Sequence, residues 1–279
     1  MENRIPVMIA GLPGRMATEM LNVILGNPDF GLCLDLILAS LTGPDIKEGS
    51  VDLGRAQITL LEPEDRYKLG AFFPIDRMVY AVDYTLPGAV NENAEFYCNL
   101  GMPFVMGTTG GDREKLVETV KNSDVSAVIA PNMAFPVVMV QAMVEYAAKN
   151  FPNALEGFSL KIVESHQKGK ADTSGTAKAM VKSFNDLGIP FTLDQIQMIR
   201  EPDFQREILG IPEEHLLGHG WHRYLLISQD KSMTLEFTHN VNGRQPYTEG
   251  TLKALAFLDK KVRAGSKGEV FSMIDVLRG

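Results

Sequence analysis

Between Glu164 and Thr176 the chain reads Glu-Ser-His-Gln-Lys-Gly-Lys-Ala-Asp-Thr-Ser-Gly-Thr, which brings an imidazole, two ammonium groups and a Ser-Gly-Thr turn into one short stretch. It lies between a strand-like run, Phe158 to Val163, and a helix-like run, Ala177 to Leu187. His166 is titratable, an ordinary imidazole changing charge near neutrality, and the cations beside it bear on when it releases a proton, which suits a general acid. Lys168 and Lys170 can neutralise an anionic substrate. Ser174, Gly175 and Thr176 would set hydroxyls and N–H groups at a helix start, a geometry that binds carboxylates. By spacing alone, a solvated loop histidine accounts for His166 equally well.

A second candidate is Ala10-Gly-Leu-Pro-Gly-Arg-Met-Ala17, directly after a strand-like run at Pro6 to Ala10. A dinucleotide pyrophosphate needs a tight strand-to-helix turn, close backbone approach and free N–H groups. Gly11 and Gly14 can supply the first two, and Arg15 can reach a phosphate. The usual G-x-G-x-x-G is not met, because Pro13 and Met16 stand at its second and third glycines. After the second strand-like run, Ser40 and Thr42 appear and no carboxylate does, which favours NADPH over NADH while leaving NADH possible. Two more loops follow strand-like runs, Gly107-Thr108-Thr109-Gly-Gly111 and Ala130-Pro-Asn132-Met133. In a doubly wound sheet such loops sit at the ligand edge.

The elements that must position these residues fall into two patterns. Strand-like runs at Pro6–Ala10, Leu34–Ala39, Ile58–Leu61, Met78–Asp83, Phe104–Met106 and Ala127–Ile129 alternate with helix-like ones, the signature of a parallel sheet. After Pro131 a long apolar helix, Pro136 to Lys149, leads to the Glu164 stretch. Runs at Ile196–Arg200, Arg223–Ser228 and Met233–His239 then follow without intervening helices. The expected fold is therefore α/β, a Rossmann-like doubly wound parallel sheet plus an inserted α+β substrate domain with an open mixed sheet. A last amphipathic helix, Glu249 to Arg263, is expected to return to the first domain.

Composition excludes several classes. The 279 residues suffice for about two domains, and 45% apolar with 22% charged residues is ordinary globular usage. A formal net charge of −8 argues against a nucleic-acid partner, which needs clustered cations. No apolar run reaches the roughly 18 residues of a membrane span. Cys33 and Cys98 alone make neither a disulfide framework nor a cysteine-based zinc site, and a reducing compartment follows. Met1 to Arg4 lead almost at once into the first strand, leaving no room for a targeting segment, so a cytoplasmic location is expected, with a plastid stroma as alternative after transit-peptide removal. His215, His219 and His222 have spacings that suit a metal, but no acidic or cysteine partner converges on them in sequence, and no metal is expected. Met133, Met139 and Met143 read as core or loop packing, and Glu201 to Glu214 as a solvated connection.

The chain also resembles the 4-hydroxy-tetrahydrodipicolinate (dihydrodipicolinate) reductase family, and its plant-type branch most. The carrying motifs are Gly11-x-x-Gly-Arg-Met16, Val82-Asp-Tyr-Thr85, Val105-Met-Gly-Thr-Thr-Gly110, Glu164-Ser-His166 with Lys170, Ser174-Gly-Thr-Ala177, and Phe271-Ser-Met-Ile-Asp-Val-Leu277. The resemblance implies NAD(P)H-dependent reduction of a small-molecule dicarboxylate in lysine and diaminopimelate biosynthesis. It implies a nucleotide domain from residues 1–131 and 241–279, and a substrate-binding, oligomerising domain from 132–240. Gly11, Gly14, Arg15, Met16, Gly107, Thr108, Thr109, Ala130 and Asn132 would then meet the dinucleotide. His166 would donate the proton, with Lys170, Gln167, Ser174, Gly175, Thr176 and Arg244 on the substrate. A homo-oligomer, tetramer or dimer, is implied. The familiar bacterial signature has a second histidine where Gln167 stands, and Thr173-Ser174 shortens its Ala-Pro-Ser step. Another imine or amino-acid dehydrogenase of this plan, or a non-catalytic dinucleotide-binding regulator, stays as the alternative.

Overall fold

The structure is a computed structural model that describes residues 4–26, 34–47, 49–52, 54, 57–170 and 173–279. Met1 to Asn3 and Cys33, invoked above for the compartment, lie outside the described residues. Two compact units emerge, Met1–Met133 with Tyr247–Gly279, and Ala134–Pro246. The first begins β1 (Ile5–Ala10), α1 (Arg15–Gly26), β2 (Leu34–Leu36), β3 (Ala39–Leu41), β4 (Ser50–Asp52) and β5 (Gln57–Leu61). It continues β6 (Tyr80–Asp83), α2 (Val90–Asn99), β7 (Phe104–Met106), α3 (Arg113–Lys121) and β8 (Ala127–Ile129). The second holds α4 (Phe135–Asn150), β9 (Ser159–His166), α5 (Gly175–Asp186), β10 (Gln197–Ile199), α6 (Pro202–Glu207), β11 (His219–Ile227) and β12 (Thr234–Asn242). Then α7 (Gln245–Arg263), β13 (Val270–Phe271) and α8 (Met273–Arg278) return the chain to the first unit.

The main sheet has the order β13-β8-β7-β6-β1-β2, parallel throughout. Every residue of β1 is buried, as a central parallel strand covered on both faces requires. From β1 the chain first adds β2 on one side and later β6 on the other. Strand order therefore reverses between β1 and β6, where doubly wound sheets bind ligands.

Two strand expectations are corrected. The run Leu34 to Ala39 breaks, because Ile37 N donates to Val7 O while Thr59 N donates to Leu38 O, so the chain leaves β1 for β5 within two residues. Ile58 to Leu61 then lies in a separate sheet, order β3-β5-β4. There β5 pairs parallel with β3 and antiparallel with β4, and it does not join the six-stranded parallel series.

Helix α7 buries Leu252, Ala254, Leu255, Phe257 and Leu258 in the first unit. Tyr80 Oη donates to Asp259 at 3.0 Å, and the Tyr84 and Thr251 hydroxyls are hydrogen-bonded. At Gly250 the helix meets the Met133 carbonyl so closely that a Cβ would lie 1.7 Å from its oxygen. The Phe271-Ser-Met-Ile-Asp motif becomes the last strand of the main sheet followed by a capping box, Ser272 and Asp275 each bonding the other's backbone N–H.

The second unit is an open mixed sheet, order β10-β9-β11-β12, with β9 and β10 parallel and the other pairs antiparallel. Ile162, Met180, Val181, Phe184, Tyr224 and Leu226 form its core together with Val144 and Ala148 of α4. Met133 is buried, but Met139 and Met143, expected in packing, stand 50% and 62% exposed. The face of α4 that is covered carries Val137, Val138, Val144 and Ala148 instead.

Candidate active site

Strand alternation puts Glu164 and His166 on one face of β9 and Ser165 on the other. Register sets His222 of β11 directly opposite Glu164, and His239 of β12 opposite His222. Glu164 is fully buried, with Arg200 Nη2 2.7 Å from Oε1 and the Ser174 N–H donating to Oε2 at 3.1 Å. Burial alone would raise its pKa, but bonding from His222, Arg200 and the Ser174 N–H outweighs that and holds the carboxyl well below its ordinary range. Arg200 also donates through Nε to Lys170 O at 2.8 Å and through Nη1 to Ile199 O at 3.0 Å. One guanidinium thus ties the Gln167–Lys170 turn, closed by Lys170 N to Gln167 O, to the buried acid.

His166 Nδ1 lies 3.1 Å from the His219 carbonyl, which can only accept, so Nδ1 carries a proton. Its Nε2 is buried without a hydrogen-bond partner, 4.0 Å from Glu164 Oε2. Burial lowers the His166 pKa to about 3, helped by the charges of His222, Arg200 and Lys170 and opposed by Glu164. The imidazole is therefore held neutral near neutral pH. His219 fastens to Ser165 Oγ through Nε2 at 2.8 Å, which places its carbonyl for His166.

Ser174 is the N-cap of α5, its Oγ accepting from Ala177 N at 3.1 Å and lying 2.8 Å from His222 Nε2. Its hydroxyl is thus engaged within the protein. Thr176 is buried, Gly175 exposed and Gln167 half-buried. Arg244 lies at the β12–α7 corner, with Nη2 on Leu217 O at 3.3 Å.

Several members of the site escaped the sequence reading. Glu201 to Glu214 is not a purely solvated connection: α6 buries Gln205, whose Nε2 donates to His166 O at 2.8 Å. The expectation that no acid meets the histidines fails as well. Glu164, His166 and His222 bring one ligand-type atom each within 4.8 Å of one another. Within that cluster Arg200 bonds Glu164 Oε1 and the Ser174 N–H bonds Oε2. The only sequence signals for these residues were Arg200 closing a strand-like run and His222 standing just before the next, and neither carries register.

In the first unit, Gly11 has φ +108° and its Cβ would fall 2.3 Å from Tyr84 O, so the β1 turn accepts only glycine. The turn is closed by Gly14 N to Gly11 O at 2.8 Å. Arg15 is exposed and Met16 half-buried at the start of α1. Ser40 is fully buried, accepting from Leu12 N, and Thr42 Oγ1 donates to Leu12 O at 2.7 Å. Both hydroxyls support the turn. At the ends of β6 and β7, buried Asp83 gathers Thr85, Asn93, Tyr97 and Thr108 as donors, which orders the Gly107–Gly111 loop. Thr109 is exposed on that loop, Ala130 is buried after β8, and Asn132 is half-buried. These loops, with their backbone at the switch point, fit a dinucleotide.

A doubly wound parallel unit with a glycine turn at its switch point, joined to an open-sheet unit with a buried acid–histidine cluster, defines a Rossmann-type oxidoreductase. Two family models match the chain, "Dihydrodipicolinate reductase, N-terminus" over residues 5–133 and "Dihydrodipicolinate reductase, C-terminus" over 136–277. The chain is 45% identical over 277 residues to 4-hydroxy-tetrahydrodipicolinate reductase 1, chloroplastic, of Arabidopsis thaliana, covering 99% of this chain and 78% of that protein. It is 30% identical to the 4-hydroxy-tetrahydrodipicolinate reductase of Ralstonia nicotianae, over 97% of this chain and 98% of that one. Dipicolinate-bound dihydrodipicolinate reductase from Paenisporosarcina sp. TG-14 shares the fold, with a TM-score of 0.62 at 19% identity over 96% and 97% of the two chains. The chain belongs to the dihydrodipicolinate reductase family.

Proposed function

We propose that the protein reduces 4-hydroxy-tetrahydrodipicolinate to tetrahydrodipicolinate in lysine and diaminopimelate biosynthesis. The observation that carries this reading is the His166 site, built on Glu164 and Arg200 inside the segment that the C-terminal family model matches. A bound nicotinamide supplies the hydride. His166 supplies the proton, and water leaves with the 4-hydroxyl, so that one hydride and one proton are taken up per turnover. General acid catalysis of this kind contributes about 10²- to 10⁴-fold. Lys170 neutralises a substrate carboxylate, with Gln167 and the Ser174–Thr176 helix start beside it and Arg244 as a further anion contact. Oxidation of NADPH by freshly generated 4-hydroxy-tetrahydrodipicolinate tests the reading. Dinucleotide affinity without turnover would make the protein a regulator, and turnover only on another imine a different dehydrogenase.

NADPH is the preferred cofactor in this proposal and NADH a possible one. No carboxylate stands from Ile37 to Pro44, after β2, to repel a 2′-phosphate. A strong preference for NADH in side-by-side steady-state rates would sink this assignment. A homo-oligomer, dimer or tetramer, is supported by an exposed apolar groove of the second unit that includes Met143, Phe151, Leu235 and Phe237; light scattering reads the state. Among the described residues no helix is long and apolar enough to cross a membrane. Of the two reducing compartments, cytosol and plastid stroma, the chloroplastic names of two Arabidopsis relatives favour the second, and a fluorescent fusion reports which applies.

A further inference from the structure

His222 has no part in the reduction as proposed, yet among the described aromatic rings its ring stands nearest the proton donor. Glu164 Oε2 stands 3.7 Å from His222 Nε2 and 4.0 Å from His166 Nε2, between the two imidazoles. The rings meet edge to face with centroids 5.1 Å apart. His222 is itself fixed from three sides: Ser174 Oγ at 2.8 Å, Glu164 opposite it in register, and the His239 ring stacked at 4.7 Å. His166 Nε2 and His222 Nδ1 are both buried without a hydrogen-bond partner, in a class of atom that is nearly always bonded.

We propose that His222 is a positioning residue which, held against Glu164 and edge to face with the His166 ring, keeps His166 neutral until a dicarboxylate binds. The charges facing His166 come from every neighbouring element: Glu164 on β9, Lys170 in the following loop, Arg200 after β10, His219 and His222 on β11, with His239 on β12 behind His222. Arg200 offsets Glu164 and Lys170 leaves the pocket cationic already, so a proton on His166 would add a further like charge. A bound dicarboxylate reverses the balance, because each opposite charge within about 4–6 Å raises an imidazole pKa by roughly one to three. From a starting value near 3, two such charges bring His166 into the neutral range. The acid is thereby armed by the anion it will protonate.

This inference rests on His166 being the proton donor, and its test does not need turnover. Calorimetric titration with pyridine-2,6-dicarboxylate, in buffers of different ionisation enthalpy across pH, counts the protons taken up on binding. The wild-type chain is expected to take up close to one proton at mildly acid pH. In His222→Gln the competing imidazole is gone, so the pH of half-maximal uptake moves up by about one. The His166 titration followed by NMR in the ligand-free variant moves the same way. A purely structural His222 would weaken binding or lower Tm while leaving that midpoint in place, which would overturn the proposal. If His222→Gln does not fold, wild-type and His166→Gln chains serve instead, with uptake present in the first and lost in the second. Zero uptake by the wild-type chain overturns the proposal outright. Failure of the reductase reading shows separately, as proton uptake with dipicolinate but no turnover of 4-hydroxy-tetrahydrodipicolinate.

Discussion

Arg200 Nη2 lies 2.7 Å from Glu164 Oε1, pairing a fully buried carboxylate with a guanidinium only 15% exposed. A buried pair of this kind stabilises little by itself, but removing one partner leaves the other uncompensated. Glu164→Gln is expected to destabilise the second unit by about 3–5 kcal/mol, read from urea unfolding. The double change Glu164→Gln with Arg200→Met should recover part of the loss. A single variant as stable as the wild type would show that Arg200 finds another anion.

His166→Ala and Lys170→Ala should each lower kcat by about 10²- to 10⁴-fold while dinucleotide affinity and Tm stay close to wild type. Near-normal turnover by either variant would remove its assigned role.

Stability should fall with acid in a defined window. His166 and His239 both have pKa values near 3 in the folded chain, chiefly through burial, against an ordinary 6.5. Below pH 6.5 the unfolded chain takes up protons that the folded one refuses, so stability present above 6.5 is lost as pH drops towards 3. Glu164, held low when folded, adds a further loss below its ordinary 4.5. Tm measured from pH 7.5 to 4 should therefore fall steadily, and His239→Gln should flatten the slope. A flat wild-type profile would contradict the buried neutral state of these rings.

Gly11→Ala is expected to weaken NADPH binding by an order of magnitude or more, because strain at such a position is about 1–3 kcal/mol and the Tyr84 carbonyl blocks relief. NADPH fluorescence titration measures it, and unchanged affinity would place the dinucleotide away from this turn.

Much of the architecture was legible locally. Parallel strands buried on both faces read as short apolar runs, so β1, β7 and β8 stood out, and the change of pattern after Pro131 marked the second unit. What failed locally was β2 with β3, where backbone bonding to two different neighbours divides a single apolar run. Ser40 and Thr42 likewise looked free to meet a ribose, whereas tertiary contact binds both to the Leu12 backbone.

The sequence by itself determined which groups are present: an imidazole beside lysines, a glycine turn after the first strand, and a helix start at Ser174. Those depend on chain neighbours, and local geometry carries them. Only the tertiary structure decided that Glu164 is the acid those groups share. Its partners Arg200, His222 and Ser174 come from three other segments, brought to one carboxylate by strand register and helix capping. Register is set by pairing across the whole sheet and slips by one residue without changing composition, so no spacing within a single strand could have revealed it.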